Sequence, residues 1–139
     1  GIAPFISIIQ DPSIYERFDK IIVTHGVRYV AELVYRKFIC EQLPRNEFFG
    51  GDVKQRLIYY PTVTREKFKT RERLTELMIS GKLFSDIGLN QPDPSQDRFM
   101  ICGSPAMLKD TCHILNDWNF EESRQGHKGH YVVERAFVA

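Results

Sequence analysis

The chain has 139 residues, with 19 Lys plus Arg against 18 Asp plus Glu and 42% hydrophobic residues. That is enough chain and apolar material for one domain, and the near-neutral charge excludes a broad electrostatic nucleic-acid binder. No apolar run reaches the roughly 18–20 residues of a membrane helix, and three cysteines without framework spacing suit a reducing, cytoplasmic compartment.

The chain opens on a glycine turn, Gly1-Ile2-Ala3-Pro4, which leads into an apolar helix from Pro4 to about Gln10, stopped before Asp11-Pro12. Ile21-Ile22-Val23 is a β-branched run ending at Thr24-His25-Gly26. An apolar stripe of Val30, Leu33, Val34, Phe38 and Ile39 predicts a helix from about Arg28 to Cys40. Leu57-Ile58-Tyr59-Tyr60 reads as a second strand, which should leave regular pairing at Pro61 before Val63-Thr64. Leu74, Leu77 and Met78 form another helical stripe, halted by Gly81. Residues 90–97 form a polar, proline-containing loop. Phe99-Met100-Ile101-Cys102 is a third strand ending at Gly103. Ser104-Pro105 then starts a helix, Ser as cap and Pro in the first turn. Tyr131-Val132-Val133 begins a last strand reaching about Phe137.

Continuous apolar runs predict strands covered on both faces, and helices between them predict parallel pairing with right-handed crossovers. The expected fold is therefore α/β, a Rossmann-like open parallel sheet flanked by helices. The visible order begins with a helix, so a first, central strand is expected before Gly1. The chain is accordingly expected to be the C-terminal part of a longer polypeptide.

Ligands of open parallel sheets bind beyond the carboxyl ends of the strands. Here those ends are Thr24 to Arg28, Thr62 to Glu66, Cys102 to Pro105, and the chain end after Arg135, with the Gly1 turn on the same edge. Gly1 to Pro4 and Gly103-Ser104-Pro105 each open a helix, where free amides and the helix dipole favour an anion. Either can equally be an ordinary tight connection, and no complete G-x-G-x-x-G or P-loop is present. Arg28 follows the first strand, Arg65 the second, and Arg71 and Arg73 lie soon after. An NADP site uses arginine for the 2′-phosphate because the planar guanidinium binds phosphate oxygens in pairs. Cys102 stands at a strand end, as a candidate at the mouth of the site or as an inert core thiol. Cys40 and Cys112 are expected in helices and in the core. Zinc is not supported by Cys102, Cys112 and His113, which lack paired ligand spacing. A serine hydrolase lacks its nucleophile elbow. His25 is expected as a turn residue. Phe137 is either a fraying end or a ring that stacks on a ligand.

Five stretches, in order and across essentially the whole chain, give the sequence a family resemblance. They are Gly1-Ile2-Ala3-Pro4-Phe5, Thr24-His25-Gly26-Val27-Arg28, Tyr59-Tyr60-Pro61-Thr62-Val63-Thr64-Arg65-Glu66, Ile101-Cys102-Gly103-Ser104-Pro105-Ala106-Met107, and Tyr131-Val132-Val133-Glu134-Arg135-Ala136-Phe137-Val138. The chain resembles the NADP-binding domain of bacterial ferredoxin/flavodoxin–NADP⁺ reductases. The resemblance implies an oxidoreductase whose FAD sits in an N-terminal barrel of the same polypeptide, absent from residues 1–139. Hydride would pass between NADP(H) and FAD, and single electrons between FAD and a ferredoxin or flavodoxin. It implies Thr64, Arg65 and Arg73 at the 2′-phosphate, with Arg28 nearby and His25 and Gly26 at the same edge. Gly1, Ala3 and Pro4 would line the pyrophosphate. Cys102, Gly103, Ser104 and Pro105 would lie along the nicotinamide. Ala136 would face the flavin ring and Phe137 the FAD adenine, and Cys102 and Ala136 would be the catalytic residues.

The sequence departs from the family in three places. The family's glycine two residues before Gly1 is missing, Glu72 replaces a glycine before Arg73, and the tail stops at Ala139. The other readings are a non-catalytic nucleotide-sensing module and the reductase domain of another NADPH-dependent flavoprotein.

Overall fold

A computed structural model describes residues 2–134, which form two compact units, residues 2–74 and residues 75 onward. Gly1, Ala136 and Phe137, named above as site candidates, lie outside the described residues, as does Arg135.

The first unit opens with two short helices, α1 (Ala3–Ile9) and α2 (Ser13–Arg17), and then strand β1 (Ile21–Val27). Helix α3 (Gly50–Arg56) leads directly into β2 (Leu57–Val63), which pairs with β1 in parallel. The register is continuous from Ile21↔Leu57 to Val27↔Val63. Ile2, Ile9, Tyr15, Val23, Ile39, Leu43 and Val53 form the buried cluster beneath it. The Tyr15 hydroxyl donates to the Ile9 carbonyl (2.6 Å), which satisfies a phenol that would otherwise be stranded in the core.

Two expectations change on these strands. The strand does not stop at Pro61: β2 runs through it, opposite His25. Proline has no N–H to give, but the ladder to β1 is unbroken, so the missing donor belongs to the other edge of β2, which pairs with no strand among the described residues. His25 is a strand residue rather than a turn residue, because β1 extends to Val27.

The helix expected over residues 28–40 is broken into irregular turns. A 3₁₀ turn covers Val30–Glu32, a π turn covers Phe38–Gln42, and a second 3₁₀ turn covers Leu43–Arg45. Val30, Val34, Tyr35, Phe38 and Ile39 are β-branched or aromatic and lose side-chain freedom in a helix. The Glu32 carboxylate also accepts the backbone N–H groups of Arg28 (3.2 Å) and Tyr29 (3.0 Å), a local alternative to helical pairing. Leu33 and Ile39 still reach the core, while Val34 is 73% exposed and Cys40, expected to be buried, is exposed.

Helix α4 (Leu74–Ser80) begins at the boundary between the units. It buries Leu77 and Met78 and ends at Gly81, whose φ of 81° needs glycine, before α5 (Lys82–Asp86). In the second unit β3 (Phe99–Cys102) pairs in parallel with β4 (Tyr131–Glu134), and α6 (Pro105–Asp117) packs on β3. Phe120 meets Phe99 edge-on at 5.1 Å, and the Tyr131 hydroxyl donates to Asn116 Oδ1 (2.8 Å). Coverage on both faces is not observed here. Met100 and Val132, register partners, are each 47% exposed, because α6 covers one face of a two-stranded ladder. Among the described residues no helix is long and apolar enough to cross a membrane.

Candidate functional site

In the first unit, backbone bonds continue past the ladder and bring two strand ends together. The N–H of Thr64 donates to the Val27 carbonyl (3.0 Å), and that of Arg65 to the Arg28 carbonyl (2.9 Å). The chain then makes a loop over residues 64–73 that folds back on β2. The Val63 N–H donates to the Thr70 carbonyl (3.0 Å), and the buried Thr62 hydroxyl lies 2.6 Å from the Glu72 carbonyl oxygen. Arg65 and Arg73 therefore stand at the two ends of one tied loop, and Arg28 lies beside its start.

The three arginines differ in their surroundings. Arg28 faces Glu32 at 4.0 Å, a long surface pair of little strength. Arg65 and Arg73 are exposed and have no ion-pair partner among the described residues. Glu72, which the sequence places as a competitor beside Arg73, turns its carboxylate to the Arg71 backbone N–H (3.2 Å) instead. Two unpaired guanidinium groups on a braced loop suit a phosphate, which takes charge-assisted, forked hydrogen bonds.

Gly26 leaves room for Leu74 at the edge of the candidate site. A Cβ there would lie 3.2 Å from both Cγ and Cδ1 of Leu74, tighter than ordinary contact. Beside it, His25 Nδ1 is 3.1 Å from the Tyr59 hydroxyl oxygen. Burial lowers the His25 pKa and raises that of Tyr59 to about 12, so both are neutral near pH 7. Sequence reasoning assigns no role to Thr62 or to the Tyr59 partnership. The signal for both is register: Thr62 sits opposite Gly26, and Tyr59 stands two residues before the partner of His25. Ala3 and Pro4 open α1, which has Ile2 in the cap position and no side-chain cap.

In the second unit, Cys102 ends β3 and is buried. Ser104 caps α6 as expected, its hydroxyl oxygen accepting the Met107 N–H at 3.2 Å. Pro105 has no N–H, so the Ala106 amide is the donor of this first turn that has no partner among the described residues. The turn thus offers backbone dipole where the first unit offers side-chain charge. No cluster of His, Cys, Asp and Glu among the described residues could hold a metal ion.

Parallel ladders with helical connections and the chemistry at the strand ends define an α/β protein of the open-sheet class. No protein-family model matches the chain. It is 58% identical to the ferredoxin–NADP reductase of Azotobacter vinelandii and 55% identical to that of Pseudomonas aeruginosa, in each case over 99% of the chain and 54% of the relative. A crystal structure of a ferredoxin NADP⁺ reductase from Neisseria gonorrhoeae with bound FAD and NADP superimposes with a TM-score of 0.81 at 29% identity. The match covers 96% of this chain and 51% of that one. Over its whole length the chain is similar to ferredoxin–NADP reductases, and it spans about half the length of the curated relatives it matches.

Proposed function

We propose that residues 1–139 are the NADP(H)-binding domain, the C-terminal half, of a ferredoxin/flavodoxin–NADP⁺ reductase. The observation that carries this is end-to-end similarity of the chain to half of enzymes bearing that name, at up to 58% identity. Two-stranded ladders, the only sheets among the described residues, agree with it, since such ladders are marginal alone. The rest of the polypeptide would hold FAD, and the electron partner would be a ferredoxin or a flavodoxin. A cytoplasmic location fits the free thiols Cys40, Cys102 and Cys112.

The residues present fit an NADP nucleotide. Arg65 and Arg73 hold the 2′-phosphate with their unpaired guanidinium groups, and Thr64 adds its hydroxyl. Arg28 lends weaker attraction because Glu32 already faces it. Gly26 keeps the edge open, and His25 stands beside it, paired with the Tyr59 hydroxyl. Ala3 and Pro4 line the pyrophosphate with the uncapped start of α1. Gly103, Ser104 and Pro105 line the nicotinamide end, and Cys102 supports that turn from inside the sheet. Roles for Gly1, Ala136 and Phe137 rest on the family resemblance alone. When bound, NADP(H) supplies the hydride and FAD accepts or returns it. The chain's own task is to fix the nucleotide so that its reactive ring is presented at the strand ends.

Calorimetric titration of the full-length protein with NADP⁺ and NAD⁺ tests the proposal. Clear preference for NADP⁺ is expected, and equal affinity for the two overturns it. The nucleotide-sensing alternative gains nothing from relatives that are named reductases.

A further inference from the structure

We infer that Thr62, which stands behind the phosphate-facing loop, is a positioning residue that sets the preference for a 2′-phosphorylated nucleotide. The inference deepens the NADP reading above and rests on it.

Thr62 is completely buried within β2, yet it carries a hydroxyl. A buried hydroxyl is costly unless it is paired, so its partners show what it does. Thr62 Oγ1 lies 2.6 Å from the Glu72 carbonyl oxygen and 3.1 Å from that of Thr70. It has one proton to give. The Thr70 carbonyl already accepts the Val63 N–H (3.0 Å), and the shorter distance is to Glu72, so the proton belongs on Glu72.

That assignment matters because the Glu72 carbonyl shares a planar peptide unit with the backbone nitrogen of Arg73. Fixing the carbonyl fixes the plane from which Arg73 departs. The residue on the other side of Arg73 is held too. Leu74 packs so closely on Gly26 that a Cβ there would crowd it, and Gly26 is the register partner of Thr62. One pair of facing strand residues thus grips the chain immediately before and after Arg73. Arg65, at the other end of the loop, is held separately by the Arg28 carbonyl. A long, exposed arginine gains most from a fixed backbone, because its own side chain brings considerable freedom to be lost on binding.

The test compares Thr62→Val, which keeps the shape and removes the hydroxyl, with Thr62→Ser, which keeps the hydroxyl. Both are made in the full-length protein and titrated with NADP⁺, NAD⁺, 2′-AMP and 5′-AMP. Thr62→Val should weaken NADP⁺ and 2′-AMP by roughly three- to tenfold, the scale of one hydrogen bond, and leave NAD⁺ and 5′-AMP unchanged. Thr62→Ser should restore the ratio. Equal weakening of all four ligands, or of none, overturns the inference. Should Thr62→Val not fold, Thr62→Ala carries the same ratio, and failure of both to fold makes Thr62 a purely structural residue and also overturns it. Wild type and Arg65→Ala separate the two levels. If wild type shows no preference for the 2′-phosphate, the NADP reading itself fails. If it does, and Arg65→Ala loses that preference while Thr62→Val keeps it, only the role of Thr62 fails.

Discussion

The two units handle the same task, presenting groups at the carboxyl end of a parallel ladder, by different physical means. The first has seven-residue strands whose pairing is prolonged by the bonds of Thr64 to Val27 and Arg65 to Arg28, and its groups are guanidiniums on a loop tied back to β2. The second has a four-residue β3, paired with β4 over the described residues and braced by a thirteen-residue helix and by aromatic edge contacts, and it presents a capped helix start. A long ladder carries rigidity outward, so it can aim side-chain charge. A short ladder borrows rigidity from a helix, and what the helix start offers is backbone dipole.

Phe120→Ala should have the largest effect. It removes the ring that is 1% exposed and meets both Phe99 and His130, and should cost about 3–5 kcal/mol in urea unfolding. A loss well below that range would show that the short ladder does not depend on its aromatic brace. Arg65→Ala comes next. It should cost NADP⁺ roughly 1.5–3 kcal/mol and spare NAD⁺ by calorimetry, while Arg28→Ala, with Glu32 beside it, should cost clearly less. Equal losses at Arg28 and Arg65 would break the distinction between paired and unpaired cations. Ser104→Ala should lower stability by about 1 kcal/mol through loss of the α6 cap, read from the urea midpoint.

The pH responses differ between the units. Burial pushes Tyr15 and Tyr59 in the first unit, and Tyr131 in the second, up to about 12 from 10.0. At Tyr131 the neighbouring Cys112 adds to the effect of burial. Each of these phenols stays neutral in the fold to higher pH than in the unfolded chain. Their contribution is therefore complete below pH 10 and is lost as pH rises towards 12, in both units. His25, in the first unit, works in the opposite direction. Burial depresses its pKa below 6.5, so its contribution is present above that value and is lost as pH falls. A pH series of urea midpoints should show the alkaline loss diminished by Tyr131→Phe and the acid-side loss diminished by His25→Asn. An acid-side loss unchanged by His25→Asn would remove His25 from the account.

Much of this was legible in the sequence wherever a local signal was strong. Ser104-Pro105 announced α6, Gly81 the end of α4, and the apolar runs all four strands, with the first drawn too short. Two things hid the rest. Helices α2 and α3 lack an apolar stripe long enough to read, and α3 opens on Gly50-Gly51, a poor helix start by propensity. Gly50 is there because a Cβ would collide with the Pro44 carbonyl, a tertiary fact that no window of sequence contains. The arginines were legible as candidates, since residue type and strand end suffice to name them. That Glu72 turns to the Arg71 amide, and that Thr62 ties down the loop, depends on which carbonyl folds back over which strand.

Pro61 has one more consequence. An unpaired strand edge is a template on which another chain can add itself, and proteins guard such edges. With its missing donor on the side away from β1, β2 offers an interrupted row of hydrogen-bonding groups to any newcomer. Past Pro61 the same side is closed by the loop itself, whose Thr70 carbonyl takes the Val63 N–H. Assembly past β2, the route to edge-to-edge aggregation, is thus discouraged by a ring and by a folded-back loop.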